Sequence, residues 1–265
     1  MTHHHHLPTH LPSSQRAKIS IIVFSIIDRV MASLPTLHYF AFRGRALACR
    51  VALFNALGPT GWIDTRVSLP KFKQEPKPAR NPDRLTNSTY VTNNLPQLNL
   101  PDGTKVTQSH AIARYAAKLS SVGSSTTFPE YHVKDLYPTD PQRALLVDEA
   151  ISVVDQILLL TPKDPDVEVR AKRRQEYHES GFLRVGMELL EGRLRISAKD
   201  GPFILGDQLT IADLYVRAPL ADLFDLKQFD GIPDAFYNDF PHVKKCAASV
   251  LEHPLLKAYH THYKN

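Results

Sequence analysis

The order of the hydrophobic patterns along the chain constrains its fold more than any other feature. Residues 37–42 are strand-like, and residues 45–57 carry apolar side chains at helical spacing up to Gly58 and Pro59. Residues 62–69 alternate in the manner of a second strand. A strand, a helix and a strand in this order predict a βαβ unit with a right-handed crossover and parallel strands.

The next segments predict a hairpin and a helix. After a polar stretch at residues 70–94, which predicts an exposed loop with at most a helical turn, two short apolar pieces flank Pro101-Asp102-Gly103. That tight-turn sequence indicates a β-hairpin formed by residues 95–100 and 105–107. Ser109 is then expected to cap a helix over residues 110–119.

The second half of the chain has helical spacing throughout. Asp140 followed by Pro141 is typical of a helix start with a side-chain cap. Thr210 with Asp213 fits a capping box, which we assign to folding and not to catalysis. No strand-like alternation competes with the helices, which are predicted over residues 144–160, 167–196, 211–226 and 243–259.

Composition narrows the functional class. The chain has 265 residues, of which 43% are hydrophobic, enough for a sizeable core. Its net charge of +5 comes from scattered basic residues among 27 acidic ones, a pattern that disfavours a nucleic-acid partner. Cys49 and Cys246 are too few for a disulfide framework or a cysteine-rich zinc site, which suits a reducing compartment.

Residues 1–34 form an extension with two interpretations. The histidines at positions 3–6 and the neighbouring Pro/Ser stretch have no packing periodicity, which favours a disordered tail, whereas Met31 begins a segment that looks like a natural protein start. The apolar run 19–27 follows Arg16 and Lys18, as in a targeting signal, but it is too short to span a bilayer. Both the tail and the targeting segment remain open.

Four motifs resemble the glutathione transferase family, and they occur in the family's order. Residues 37–46, Leu-His-Tyr-Phe-Ala-Phe-Arg-Gly-Arg-Ala, resemble the start of the tyrosine-type transferases. Residues 95–98, Leu-Pro-Gln-Leu, resemble the cis-proline segment, and residues 108–115, Gln-Ser-His-Ala-Ile-Ala-Arg-Tyr, resemble the helix signature. Residues 206–213, Gly-Asp-Gln-Leu-Thr-Ile-Ala-Asp, resemble the capping segment of the second domain.

This resemblance covers about the last 230 residues and is strongest to the sigma class, which includes glutathione-dependent prostaglandin D synthases. It implies an α+β, thioredoxin-like first domain (βαβ-ββα) over residues 35–120, a linker at 121–134 and an all-helical domain at 135–265. Two features depart from the family: Leu47-Ala48 replaces a common Glu-Pro, and the 70–94 loop is long. Family members bind the glycine end of glutathione with a Trp and a Lys of that loop, and Lys71, Lys73 and Lys77 all remain open for this role.

The resemblance implies a catalytic role for Tyr39 and Arg45. A thiol is mostly protonated at neutral pH, so a transferase must stabilise the glutathione thiolate before it attacks an electrophile. The Tyr39 hydroxyl at the end of the first strand can donate a hydrogen bond to the sulfur. Arg45 would add positive potential at the helix start. The alternatives are a packed strand-end aromatic for Tyr39 and an exposed arginine for Arg45.

Five further residues are expected to hold glutathione. A cis peptide before Pro96 would present the main chain of Leu95 to the cysteinyl backbone. Gln108 and Ser109, at a helix start, would receive the γ-glutamyl carboxylate, and Asn94 is a weaker polar contact. For Ser109 the alternative is a plain N-cap.

The electrophile is expected in an apolar pocket between the domains, against Phe42 and the helix that begins at Pro141. Cys49 is expected in the core and His110 on a solvated helix face. The implied function is conjugation of glutathione to small hydrophobic electrophiles, as in detoxification. The alternatives are a glutathione-dependent isomerase or peroxidase, and a non-catalytic binding or structural protein of the same fold.

The resemblance also implies partners and location. Glutathione is the co-substrate, and neither a metal nor a permanently bound cofactor is required. A homodimer is expected, a membrane partner is not, and the cytosol is the default location. The extension keeps an organelle or membrane association open.

Overall fold

A computed structural model of the chain describes residues 34–75, 83–123 and 130–263. The predictions for the extension before residue 34, for Lys77 and for residues 124–129 of the linker lie outside these residues. The strands are β1 (Thr36–Tyr39), β2 (Ile63–Arg66), β3 (Gln97–Asn99) and β4 (Lys105–Thr107). The α-helices are α1 (Leu47–Leu57), α2 (Leu69–Gln74), α3 (Arg84–Asn87), α4 (Ser109–Gly123), α5 (Pro141–Leu160), α6 (Val167–Glu179), α7 (Phe182–Ser197), α8 (Ile211–Tyr215), α9 (Asp222–Asp225), α10 (Pro241–Glu252) and α11 (Pro254–His262).

The first domain is a mixed four-stranded sheet in the order β2-β1-β3-β4. β1 and β2 are parallel and are joined through α1, whereas β3 is antiparallel to both β1 and β4. The predicted βαβ unit, hairpin and closing helix are therefore confirmed, and with them the thioredoxin-like first domain and the helical second one. The strands are shorter than predicted, since β1 ends at Tyr39.

The strand register shows which residues lie together at the end of the sheet that forms the site. His38 lies opposite Gln97, and Gln97 lies opposite Thr107. Tyr39 follows His38, Pro96 precedes Gln97 and Gln108 follows Thr107. These three residues therefore lie next to one another at one end of the sheet. Helices α1 and α4 pack against this sheet and bury a continuous core that includes Phe54 and Ile112.

Three of the predicted long helices are interrupted in the second domain. The predicted helix 167–196 is two helices, because the chain folds back at Gly181, where a Cβ would lie only 2.8 Å from the Tyr177 Cα. The predicted helix 243–259 breaks at Pro254, which lacks the N–H that a continuous helix needs and starts α11 instead. The predicted helix 211–226 is interrupted at Ala218, whose backbone is extended before Pro219.

The predicted caps at Asp140 and at Thr210 with Asp213 are present. Asp140 accepts a hydrogen bond from the Arg143 N–H at the start of α5. Asp213 accepts from the Thr210 N–H at 2.8 Å and from the Ile204 N–H at 2.8 Å, and it is completely buried. The capping box thus also ties the preceding loop to α8, which supports its assignment to folding.

The 70–94 segment contains two short helices, α2 and α3, where a loop with a helical turn was predicted. Ser68 caps α2 by accepting from the Lys71 N–H. Phe72 is the buried residue of α2 and packs near Tyr90. Across the described parts of the chain, no helix is both long enough and apolar enough to cross a membrane.

Candidate active site

Tyr39 is the last residue of β1, and its side chain is only 5% exposed. The chain turns back after it, so that the Arg45 N–H at the start of the following helix donates a hydrogen bond of 3.2 Å to the Tyr39 hydroxyl. The hydroxyl oxygen is therefore an acceptor in this contact, and its own proton remains available to a ligand.

Gly44 makes this turn possible. Its φ of +39° lies in the left-handed region, and a Cβ at this position would lie 2.7 Å from the Tyr39 hydroxyl oxygen. A side chain at residue 44 would therefore displace the hydroxyl that the turn positions.

Burial raises the pKa of the Tyr39 hydroxyl above its ordinary value of 10.0. The hydrogen bond from the Arg45 N–H and the positive charges of Arg45 and Arg50 oppose this rise without cancelling it. The hydroxyl consequently keeps its proton at neutral pH, as a hydrogen-bond donor to an anionic sulfur must.

Arg50 holds the turn in place and was not singled out from the sequence. Its buried guanidinium donates to Asp64 at 3.0 Å and to the main-chain carbonyls of Phe40 and Phe42 at 2.7 and 2.9 Å. The same guanidinium lies 5.5 Å from the centre of the Tyr39 ring. An arginine inside a helix gives no sequence signal for burial, so only the tertiary packing reveals this role.

The Arg45 guanidinium points toward the second domain. It forms an ion pair with Asp155 of α5, and His110 Nε2 lies 3.7 Å from the same carboxylate oxygen. The main-chain N–H of Arg45, and not its guanidinium, therefore contacts Tyr39. The side chain acts on the Tyr39 hydroxyl through its charge alone.

The predicted glutathione-binding residues lie at the same end of the sheet as Tyr39. The Leu95–Pro96 peptide bond is cis, as expected, and both residues are buried. Gln108 is exposed and has a φ of +73°, unusual for a residue other than glycine. Ser109 is buried and is the first residue of α4, so the prediction that it precedes the helix is off by one position. Asn94 is exposed, next to the bend.

The long loop contributes no tryptophan to this end of the sheet. The single tryptophan, Trp62, is buried next to Tyr263, with ring centres 5.6 Å apart. Lys71 and Lys73 lie exposed on α2.

A cavity of about 790 Å³ opens between the domains beside Tyr39. Phe42 and α5, through Leu158, line this cavity, which is where the electrophile is expected. The sequence did not indicate the remaining walls. The lining residues are Tyr39, Ala41, Phe42, Arg43, Gly44, Arg45, Leu158, Pro219, Asp222, Leu223, Leu226, Gln228 and His260.

Comparison with known proteins agrees with this architecture. The family model described as the C-terminal domain of glutathione S-transferase matches residues 147–262. The chain is 26% identical to S-crystallin 4 of Enteroctopus dofleini over 84% of its length and 94% of that protein. It is 24% identical to glutathione S-transferase A1 of Homo sapiens over 86% of its length and 89% of that protein. These matches support a place for the chain in the glutathione S-transferase family.

Solved structures show the same fold. Prostaglandin synthase D of Nilaparvata lugens superposes with a TM-score of 0.60 at 18% identity, covering 85% of this chain and 96% of that one. A glutathione S-transferase from Ascaris lumbricoides gives 0.58 at 22% identity, covering 86% and 96%. Together with the S-crystallin relatives, these matches support the sigma-like assignment within the family.

Two titratable residues lie near the site without being among its predicted catalytic or binding residues. Cys49 is fully buried, as predicted, and burial raises the pKa of its thiol to about 12. The prediction that His110 is solvated is wrong: its ring is half-buried and lies edge-on to Tyr215, 5.2 Å between ring centres. Burial lowers the pKa of His110, although the Asp155 charge opposes this shift.

Within residues 34–75, 83–123 and 130–263, no group of three or more His, Cys, Asp or Glu side chains is arranged to hold a metal ion. The titratable and charged side chains that line the cavity are those of Tyr39, Arg43, Arg45, Asp222 and His260.

Proposed function

We propose that this chain conjugates glutathione to small hydrophobic electrophiles, with Tyr39 stabilising the thiolate. Family membership supports glutathione as the co-substrate. The observation that carries the proposal is the Tyr39 hydroxyl, which lines the cavity between the domains while it accepts the Arg45 N–H. Its proton is left for the sulfur.

The residues that meet beside Tyr39 at one end of the sheet form the proposed glutathione site. The main chain of Leu95 before cis-Pro96 would pair with the cysteinyl backbone of the tripeptide. Ser109, at the start of the 15-residue helix α4, would bind the γ-glutamyl carboxylate at the positive helix end. Gln108 holds a strained left-handed backbone, a feature that concentrates at ligand sites, and Asn94 is the weaker contact.

The proposed reaction with a halide electrophile is a displacement. The glutathione thiol loses its proton to water, and the thiolate is held by the Tyr39 hydroxyl. The sulfur then forms a bond to the electrophilic carbon, and the halide leaves with the bonding electron pair. Arg45 assists through its charge and its N–H, which fix the Tyr39 hydroxyl.

The setting of this activity is part of the proposal. We infer a homodimer, as implied by the family resemblance, and a role in detoxification. The cytosol is the proposed location, supported by Cys49 and Cys246, which are both free and buried. Attachment to an organelle or a membrane through the extension is the alternative.

The decisive experiment compares conjugation of a chloronitroaromatic electrophile by the wild type, Tyr39→Phe and the control Tyr115→Phe. Tyr115 lies exposed on α4, so its hydroxyl is outside the site. We expect Tyr39→Phe to lower kcat/KM at least about tenfold, which corresponds to about 1.4 kcal/mol of transition-state stabilisation, and Tyr115→Phe to leave it unchanged. Equal activity of all three proteins would remove Tyr39 from the mechanism.

A non-catalytic structural role is the second candidate. The S-crystallin relatives favour it, because crystallins are structural proteins of the lens. Glutathione binding without turnover of any electrophile would support this candidate, since one fold carries both kinds of function. An isomerase or peroxidase using the same thiolate is separated from conjugation by substrate profiling.

A further inference from the structure

One wall of the interdomain cavity is charged, although most of its lining is apolar. Arg43 and His260 lie on this wall together with Asp222, and Phe42, Leu158 and the segment after Pro219 provide apolar surface. Such a pairing of an apolar body with a few charged groups is typical of a site for an amphipathic ligand.

Two arginines share one carboxylate on this wall. Asp222 Oδ1 lies 2.9 Å from Arg43 Nη2 and 3.0 Å from Arg217 Nη2, so two guanidinium groups share one carboxylate. Arg217 also pairs with Asp225 at 2.8 Å, so the two arginines and two carboxylates are neutral overall. Asp225 does not line the cavity and its side chain is 46% exposed, whereas Arg43 lies on the cavity wall.

His260 lies on the same wall as Arg43. The imidazole is half-buried on the C-terminal helix α11, and burial lowers its pKa. The charges of Arg43 and Arg217 lower the pKa further. Tyr39, Arg45 and Asp222 are the other titratable or charged groups that line the cavity.

Arg43 is the member of the cluster that can change partners. Its side chain is 28% exposed at the cavity, whereas the side chains of Arg217 and Asp222 are 5% and 8% exposed. If Arg43 turned to a ligand, Asp222 would keep its ion pair with Arg217. No buried carboxylate would then be left without a partner, so the exchange avoids the main cost of breaking a buried ion pair.

We propose that the cavity selects electrophiles that combine an apolar body with a carboxylate, and that Arg43 binds this carboxylate. The inference rests on the proposed conjugation for the chemistry at sulfur, but the anion subsite is a property of the cavity itself. Carboxylate and guanidinium groups are matched in geometry and form strong charge-assisted hydrogen bonds.

The test uses two pairs of matched probes. 4-Chloro-3-nitrobenzoate and 4-chloro-3-nitrobenzamide are electrophiles of the same shape, and their enzymatic rates are divided by their uncatalysed rates with glutathione. 4-Methyl-3-nitrobenzoate and 4-methyl-3-nitrobenzamide are their unreactive counterparts for calorimetry. The variants are Arg43→Gln and the control Arg66→Gln, which removes the same charge from β2, outside the cavity lining.

We expect the wild type and Arg66→Gln to favour the benzoates about tenfold, in KM and in Kd, and Arg43→Gln to lose this preference. A benzoate preference that survives Arg43→Gln, or a wild type that binds both probes equally, would overturn the subsite. Tighter calorimetric binding of the methyl benzoate without conjugation of either chloro probe would support the subsite while refuting the proposed function.

Discussion

Replacing Arg50 by Met tests whether a buried ion pair holds the turn that carries Tyr39. Arg50 and Arg66 bind the two oxygens of the same carboxylate, Asp64, at 3.0 and 3.1 Å. They differ in environment, since the Arg50 side chain is 3% exposed and the Arg66 side chain is 32% exposed. Arg66→Met is thus a control that removes the same charge from the same partner.

The two substitutions should lower the free energy of unfolding by different amounts, because Arg50 is buried and Arg66 is partly exposed. Arg50→Met leaves a buried carboxylate with one partner fewer and removes the donor to the carbonyls of Phe40 and Phe42. We expect it to lower the free energy of unfolding by about 3 kcal/mol, the range for breaking a buried pair. Arg66→Met should cost less than about 1 kcal/mol, as for exposed pairs.

Urea denaturation followed by circular dichroism measures both variants. With a slope of about 3 kcal/mol per molar urea, the Arg50→Met midpoint should fall by about 1 M and that of Arg66→Met by less than about 0.3 M. Conjugation by folded Arg50→Met should also fall, because the turn no longer fixes Tyr39. Equal midpoint shifts for the two variants would refute the reasoning that burial makes Arg50 the anchor.

Two further predictions address the turn and the charged wall. Gly44→Ala should cost about 1–2 kcal/mol of stability and lower conjugation at least about tenfold, since its φ is +39° and its Cβ would lie 2.7 Å from the Tyr39 hydroxyl. Gly103→Ala, with φ +88° and no atom within 4 Å of its Cβ, should lose stability but keep activity; parallel activity losses would contradict this. The affinity of 4-methyl-3-nitrobenzoate should rise as pH falls below 6.5, because His260, whose pKa is lowered from that value, then gains a positive charge beside Arg43. Calorimetry should show a smaller rise in His260→Gln. Some rise should remain, because burial raises the pKa of Asp222 and its protonation also makes the wall more positive. An identical pH dependence in both proteins would exclude His260.

The elements could be predicted from sequence where the signal is local. The hairpin followed from Pro101-Asp102-Gly103, and the start of α5 followed from Asp140 and Pro141. The breaks at Gly181 and Pro254 were missed because apolar residues continue at helical spacing across them. At Gly181 a Cβ would lie 2.8 Å from the Tyr177 Cα, so the turn between α6 and α7 needs a residue without a side chain.

The candidate site could likewise be predicted from sequence only in part. Tyr39, Leu95, Pro96, Gln108 and Ser109 were singled out by short motifs, and the strand register gathers them at one end of the sheet. The cavity wall after Pro219 was not predicted. Its residues are distant in sequence from Tyr39 and have no motif of their own.

The arginines of residues 43–50 show why the geometry of the site depends on the whole molecule. Arg50 pairs with Asp64 inside the first domain, whereas Arg45 pairs with Asp155 and Arg43 with Asp222 of the second domain.

Arg50 and Arg45 thereby hold the turn after β1 from the two domains, and the Tyr39 hydroxyl receives its hydrogen bond from the same turn. A change in the packing of the domains would therefore move the phenol and the charged wall together. The turn positions the Tyr39 hydroxyl, proposed to stabilise the thiolate, and carries Arg43, proposed to bind the electrophile. Substitutions at Asp155 or Asp222 should therefore alter catalysis, although neither residue is proposed to contact glutathione.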